Sequence, residues 1–328
     1  MKQTKQIVLS GIQPSGELHI GNYLGSLKNF VELQNKYQCY FFLATYHSIT
    51  EDYNPKTKKQ DVFNLTLDFL AAGLDPKKCI IFNQVDVPEC TELAWIFNTI
   101  TPIAELERMT QFKDKATKQI KNINAGLLDY PVLQAADILL YHAHLIPVGQ
   151  DQIQHVEITR DIARHFNNKF GQYFFEPKPL LTKVPKVMSL LEPEKKMSKS
   201  AGPNHYIAIN DEPDVIHEKL KRAVTGTGNE NTIPLGAQNL LTLLQEFGTA
   251  KQVAYFQEQI KNKKIRYSEL KEALTKAIAD YFADFRTKRK ALAKKPQVIE
   301  GVLRDGANKA QKVAQKTLNE VKNLIGVA

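Results

Sequence analysis

The sequence predicts an α/β protein, with a doubly wound parallel sheet followed by a second, mostly α-helical domain. Three observations carry this. Short apolar runs alternate with amphipathic helical segments through the first half of the chain, strand signals fade after Gly202, and 328 residues fit about two domains at roughly 100–200 residues each. The first element is a buried strand, Ile7 to Ser10, running into the breaker-rich turn Gly11-Ile12-Gln13-Pro14-Ser15-Gly16. A helix follows from about Ile20, because Leu24, Leu27 and Val31 recur at helical spacing and Phe30 and Leu33 widen the face. Cys39 to Ala44 reads as a second strand, Lys58 to Ala72 as an amphipathic helix stopped by Gly73, and Cys79 to Phe82 as a third strand. Pro131 opens a further helix through Tyr141, since proline is tolerated in a first turn where its missing N–H would be unpaired anyway. Leu145 to Val148 is a strand ending in Gly149, and a helix spans about Gln152 to Phe166. Residues 171–202 read as loop, and 212–224, 237–247, 250–262, 267–293 and 306–325 as helices. The domains are therefore expected at 1–202 and 203–328, with the last helix free to pack back on the first.

Charge is unevenly placed. Residues 1–250 hold 26 Lys/Arg against 27 Asp/Glu, whereas residues 251–328 hold 18 against 8, so the net +9 belongs to the C-terminal quarter. A basic module on a neutral body points to an anionic partner such as nucleic acid, the alternative being a solvated helical surface. No stretch approaches the roughly 18 consecutive apolar residues of a membrane helix and the start of the chain has no signal-peptide core, so a cytoplasmic protein without membrane partners is expected. Cys39, Cys79 and Cys90 contain no C-x-x-C pair and indicate neither a disulfide framework nor a zinc site.

Two segments carry chemistry. Pro14-Ser15-Gly16-Glu17-Leu18-His19-Ile20-Gly21-Asn22 lies between the first strand and its helix, where unpaired helix N–H groups and the helix dipole favour a phosphate. Gly16 and Gly21 allow close backbone approach, and His19 can donate to a phosphate oxygen. A tight turn capped by Asn22 explains this segment equally well by itself. Lys195-Lys196-Met197-Ser198-Lys199-Ser200, in the loop-rich region, places two lysines three apart among hydroxyls and suits a mobile polyphosphate clamp, although a basic surface loop has the same look. The combination is the signal, since both in one two-part α/β chain are improbable by chance.

These two segments resemble the signatures of class I aminoacyl-tRNA synthetases, the first as an H-I-G-N form of H-I-G-H and the second as a complete K-M-S-K-S. Within that class, Gly11 to Gly16, Glu107-Arg108-Met109-Thr110-Gln111-Phe112-Lys113, Tyr130-Pro131 through Ala135-Ala136-Asp137-Ile138-Leu139, and Pro147-Val148-Gly149-Gln150-Asp151-Gln152 resemble the bacterial tryptophanyl enzymes over residues 7–225, more loosely beyond. The resemblance implies a Rossmann-like catalytic domain ending in the lysine loop and a helical tRNA (anticodon)-binding domain. It implies ATP with Mg²⁺ as substrate complex, L-tryptophan and tRNA(Trp) as partners, and a homodimer. By it, Gln13, Pro14, Ser15, Gly21 and Asn22 lie along the ATP, Lys196, Ser198 and Lys199 hold its phosphates within an ATP-binding loop that includes Met197 and Ser200, and Gly149, Gln150 and Asp151 meet the adenosine, with Val187 near the base. Lys196, Lys199 and His19 are the catalytic candidates.

Asp137 matches the residue that accepts the indole N–H, and its apolar neighbours imply burial. Tyr130 and Gln134 share its helical face, Gln152 reaches the amino acid, and His47, just past the second strand, is a further candidate or a surface loop residue. Many bacterial tryptophan enzymes have Met where this chain has Gln134, and Tyr130-x-x-x-Gln134-x-x-Asp137 is also similar to the tyrosine-recognition pattern of tyrosyl-tRNA synthetases. The Gly-Ile-Gln-Pro-Ser-Gly and Glu-Arg-Met-Thr-Gln-Phe-Lys segments favour tryptophan. Some relatives hold an iron-sulfur cluster on four cysteines, which three cysteines before residue 91 cannot supply, and no zinc or other resident metal is expected. The remaining alternatives are another nucleotidyl transferase with a His-x-Gly-His-type loop and a non-catalytic tRNA-binding paralogue. The basic helical region opposes the first, and intact motifs oppose the second. Trp95, Ile96, Phe97, Ile100 and Ile103 form an apolar stretch suited to either a dimer interface or a core helix.

Overall fold

Five apolar runs form one all-parallel sheet in the order β3-β2-β1-β4-β5: β1 (Ile7–Ile12), β2 (Gln38–Leu43), β3 (Cys79–Asn83), β4 (Leu145–Val148) and β5 (Lys178–Leu181). The computed structural model describes residues 5–110, 123–181, 185–226 and 233–328. β1 and β2 pair from Ile7 opposite Gln38 to Ile12 opposite Leu43, and β2 and β3 pair from Cys39 opposite Cys79. Cys39 through Leu43 are all buried, as expected of a strand covered on both faces. The strand order reverses across β1, so the carboxyl ends of β1 and β4 flank the point where open α/β sheets bind ligands. β5 corrects the reading of 171–202 as loop. It escapes the periodic signal because it contains Pro179, which an edge strand tolerates since one side of its backbone has no ladder to complete.

Among the described residues the helices are α1 (Ile20–Asn22), α2 (Lys28–Leu33), α3 (Lys58–Ala71), α4 (Glu89–Asn98), α5 (Ile103–Glu107), α6 (Ala125–Leu140), α7 (Ile153–Phe170), α8 (Pro213–Arg222), α9 (Leu235–Phe247), α10 (Ala250–Lys261), α11 (Tyr267–Tyr281), α12 (Ala283–Ala293) and α13 (Pro296–Ile325). A π-helical turn, Tyr23–Leu27, separates α1 from α2. α6 starts at Ala125 rather than at Pro131, because the Asn124 side chain accepts from the Leu127 N–H and caps the helix there. Pro131 is thus an interior residue. The segment 267–293 is two helices, broken at Phe282, whose ring is buried against Tyr23, Phe247 and Phe285 at 4.9, 5.6 and 6.0 Å. Keeping that ring in the aromatic cluster turns the chain.

Contacts divide the chain into two compact units. One contains the sheet, with described residues in 5–16, 28–181 and 295–328; the other is mostly helical, with described residues in 17–27, 185–226 and 233–294. These bounds differ from a single cut after residue 202. Residues 18–20 join the helical unit through Ile20 N–H to the Ile207 carbonyl (2.9 Å) and Ile209 N–H to the Leu18 carbonyl (2.9 Å). In the sheet unit, α13 lies on β3 along a buried face of Gly306, Ala307, Ala310 and Ala314. Gly306 sets the approach: a Cβ there would stand 1.7 Å from the Ile81 carbonyl oxygen. No helix among the described residues is long and apolar enough to cross a membrane.

Gly306→Ala should therefore destabilise the sheet unit by about 1–3 kcal/mol through overpacking. Gly301→Ala, in the same helix but facing open space, should be neutral or stabilise by up to about 1 kcal/mol. Urea unfolding of both variants checks the contrast, and equal shifts would contradict the close packing.

Candidate active site

The sheet unit places a buried carboxylate at the carboxyl ends of its strands. Asp137, only 3% exposed on α6, accepts from the Gln84 side-chain amide at both oxygens (Oδ1 3.0 Å, Oδ2 2.8 Å) and pairs at Oδ2 with His47 Nε2 at 2.8 Å. His47 begins the turn after β2 and Gln84 the turn after β3, so adjacent parallel strands deliver both partners to one point. Gln84 cannot flip freely, because its Oε1 accepts the Tyr46 N–H at 2.9 Å. A carboxylate offers about four lone-pair directions, and these contacts leave a direction on Oδ1 for another donor. Tyr130, on the same helix, is buried and its hydroxyl lies 2.9 Å from His155 Nε2; burial pushes the Tyr130 phenol up to about 12. The rings of His47 and Tyr130 meet edge to face at 6.5 Å. Gln134 is half-buried, its side chain with no hydrogen-bond partner among the described residues, and Gln152 is half-buried at the start of α7.

The turn after β1 is tight: the Ser15 N–H donates to the Gln13 carbonyl at 3.0 Å, and Gly16 has φ +86°, a left-handed conformation that favours glycine. Lys58 braces it, donating to the Pro14 carbonyl and to Ser48 Oγ, each at 3.0 Å. Gly149 follows β4 and leads into a 3₁₀ turn, Gln150–Gln152. The side chain of Asp151 lies outside what the structure describes, as do Gln111, Phe112 and Lys113. Thr110, from the same segment, bonds Gln154 Oε1 through its N–H (3.0 Å) and hydroxyl (2.8 Å).

The helical unit contains the His19-Ile20-Gly21-Asn22 part of the first signature segment and the whole lysine loop. His19 caps α1, its Nδ1 accepting the N–H groups of Gly21 (3.1 Å) and Asn22 (3.3 Å), while Asn22 Oδ1 accepts the His19 N–H at 3.2 Å. An accepting Nδ1 puts the ring proton on Nε2, which is then the donor. A Cβ at Gly21 would stand 2.8 Å from the His19 ring and 3.6 Å from Val187 Cβ. The lysine loop is built on Val187 as well, whose carbonyl accepts the Met197 N–H at 3.0 Å, and Lys196 bridges Met188. Met197 is buried and anchors the loop, while the Ser198 and Ser200 hydroxyls meet at 2.8 Å and Ser198 caps the turn Lys199–Ala201. Burial lowers the His19 imidazole to about 4, and the nearby charges of Lys199 and then Lys196 add to the effect. Two cations and a neutral N–H donor therefore share one locality.

Gln84, His155 and Lys58 escaped the sequence reading. Gln84 and His155 belong to no motif, and Lys58 opens an amphipathic helix where a solvated charge is the ordinary expectation; only strand register and helix packing bring them to the site. His47 proves buried and paired rather than a surface loop residue. Because His19 has a depressed folded-state value, its stabilising contribution should be complete above pH 6.5 and fade as pH falls toward about 4. NMR titration of the free protein checks this, with the His19 ring expected to stay neutral at pH 5.5.

Comparison with known proteins follows the same lines. The family model for tRNA synthetases class I (W and Y) matches residues 1–283. A tryptophan-tRNA ligase of Clostridium tetani is 43% identical over 333 residues, covering 99% of this chain and 97% of that protein. A tryptophan-tRNA ligase of Wolinella succinogenes is 42% identical, covering 98% and 99%. Among solved structures, the tryptophanyl-tRNA synthetase of Campylobacter jejuni complexed with ADP and tryptophan superposes with a TM-score of 0.86 at 35% identity, covering 98% of this chain and 100% of that one. The chain belongs to the class I tRNA synthetases of the W and Y family.

Proposed function

We propose that the protein activates L-tryptophan with ATP, giving tryptophanyl adenylate and pyrophosphate, and then transfers the tryptophyl group to a hydroxyl of the terminal ribose of tRNA(Trp), releasing AMP. The observation that carries the choice of amino acid is Asp137, a buried acceptor held in place by Gln84 and His47 with room for one further donor. The indole N–H is such a donor, and an analogue lacking it leaves a buried acceptor unpaired, which discriminates strongly. Tyrosine is the runner-up. Its hydroxyl both donates and accepts, and the Tyr130 hydroxyl, the neighbouring group suited to serve it, is engaged with His155.

Activation needs no general base, because the amino-acid carboxylate is already a nucleophile at neutral pH. The work is alignment for in-line attack on the α-phosphorus and stabilisation of charge on the departing pyrophosphate. In this reading Gln13, Pro14, Ser15, Gly21 and Asn22 line the ATP, Gly149, Gln150 and Asp151 meet the adenosine and Val187 lies near the base. Lys196, Ser198 and Lys199 hold the phosphates, Met197 and Ser200 complete the same ATP-binding loop, and His19 donates from Nε2. Tyr130, Gln134, Gln152 and His47 surround the amino acid with Asp137. Mg²⁺ enters with the nucleotide as counter-ion to its phosphates. A cytoplasmic homodimer belongs to the reading too: Trp95 and Ile103 are 72% and 64% exposed, while Phe97 is fully buried and belongs to the core.

The purified protein should exchange pyrophosphate into ATP when tryptophan is present and not with tyrosine. Exchange with tyrosine alone moves the assignment to the runner-up, and no exchange with any amino acid removes the enzyme reading. Lys199→Ala should slow exchange by about 10²–10³, the usual loss for one group that stabilises developing charge, with tryptophan affinity little changed; equal losses in both would remove the clamp role. Asp137→Asn should reduce selectivity for tryptophan over analogues without a ring N–H, measured as the ratio of kcat/KM values.

A further inference from the structure

Within the helical unit, the basic residues of the C-terminal quarter differ in how they are used. Those of α12 are largely answered internally. Arg286 is buried, donates to the Ala279 carbonyl at 2.6 Å and faces Glu212; Lys290 pairs with Glu212 at 2.6 Å and Lys288 with Asp284 at 2.7 Å. At the corner between α10 and α11 the situation is reversed. Lys261, Lys263 and Lys264 are all exposed and have no carboxylate partner among the described residues. Arg266 closes the corner, donating to Glu269 at 3.2 Å, and the hydroxyl of the exposed Tyr255 donates to the same carboxylate at 3.4 Å. The corner is also strained. The Lys263 N–H bonds the Ile260 carbonyl (2.9 Å) and the Lys264 N–H the Gln259 carbonyl (2.8 Å), which forces Lys263 to φ +55°, where glycine would fit more easily. A lysine at a left-handed position costs some stability relative to glycine.

Beside this corner is a cavity of about 230 Å³ between α9 and α10. Its apolar walls are Ile233, Leu241, Leu244, Val253 and Ile260, and the exposed residues Gln245 and Gln257 stand at it. Ile260 is the residue that precedes the lysine run. The volume lies below the roughly 300 Å³ floor for sites that enclose a drug-sized ligand, and suits one heteroaromatic ring. Apolar walls accept a ring face, glutamine amides both donate and accept toward a base edge, and unpaired lysines next to them take phosphates.

We propose that this cavity and the lysine corner hold one unstacked base of the tRNA and its flanking phosphates. RNA bases are read mainly where they are unpaired and can be splayed out, which a single-ring pocket requires. The assignment rests on the tRNA partner of the proposed function and adds where in the helical unit that RNA is gripped.

The test uses the full-length protein and transcribed tRNA(Trp). Lys261→Gln/Lys263→Gln/Lys264→Gln should raise the KM for tRNA about tenfold near 0.1 M salt, and the slope of log affinity against log salt should fall by about 2, at roughly 0.7 for each single-strand phosphate that the lysines neutralise. Lys263→Gly should weaken tRNA binding while its melting temperature rises or holds, which separates a missing charge from impaired folding. Gln257→Ala should cost about tenfold in affinity with the salt slope unchanged, as a base-reading residue does. Lys288→Gln/Lys290→Gln should leave the tRNA KM unchanged. Tryptophan-dependent pyrophosphate exchange should be normal in every variant. Its absence in the unsubstituted protein would instead overturn the enzyme reading itself. With exchange normal, an unchanged KM and slope in the corner variants, or a larger loss from the α12 pair, would overturn the site.

Discussion

The arrangement around Asp137 is the constraint on which the amino-acid site depends. Removing a carboxylate from water without partners costs several kcal/mol, so its burial requires donors fixed in advance. The donors come from His47 and Gln84, at the ends of β2 and β3, while the carboxylate comes from α6. Three elements distant in sequence are tied at one point, and the Tyr46 N–H holds the Gln84 amide in its required orientation. An acceptor tied in this way cannot follow a wrong substrate by rotating toward it.

That point stays put because the sheet beneath it is covered closely on both faces. The long C-terminal helix α13 approaches β3 through Gly306 and its row of alanines, and polar contacts fix its register: Gln311 to Glu89 (3.3 Å), Tyr173 to Glu320 (2.7 Å), and Lys322 to Glu92. A helix from the end of the chain therefore supports the strand whose carboxyl end supplies Gln84. In the helical unit, the corresponding organising contact is His19. It caps its own helix, lies buried beside the two lysines of the loop, and stays neutral because of both. Burial and positive neighbours act in the same direction on an imidazole, so the donor role is decided by surroundings rather than by residue type.

Charge illustrates how little composition says about use. The +10 of residues 251–328 contains cations that finish internal networks, such as Arg286 and Lys290, and cations that have no carboxylate partner among the described residues, such as Lys261, Lys263 and Lys264 of the α10–α11 corner. Equal formal charge thus serves fold in one helix and is available to a polyanion in the next.

The alternation of strands and helices, the two signature segments, and the candidacy of Asp137 were all legible from the amino acids, because they rest on local periodicity, breaker residues and short motifs. β5 was not, since Pro179 hides an edge strand, nor was the true start of α6, where one capping asparagine outweighs a proline that looks like a first turn. The break at Phe282 was also hidden, because it answers to aromatic partners far away in sequence. Sequence by itself determined the fold class, the family resemblance and the chemistry on offer. The tertiary structure alone decided that Gln84 and His47 grip Asp137, that His19 is neutral, that Lys58 braces the Pro14 turn, and which cations of the C-terminal quarter meet a carboxylate among the described residues. Those are matters of strand register, burial and distance between residues far apart in the chain, His47 and Asp137 by 90 positions and His19 and Lys199 by more, and such quantities do not exist until the chain has folded.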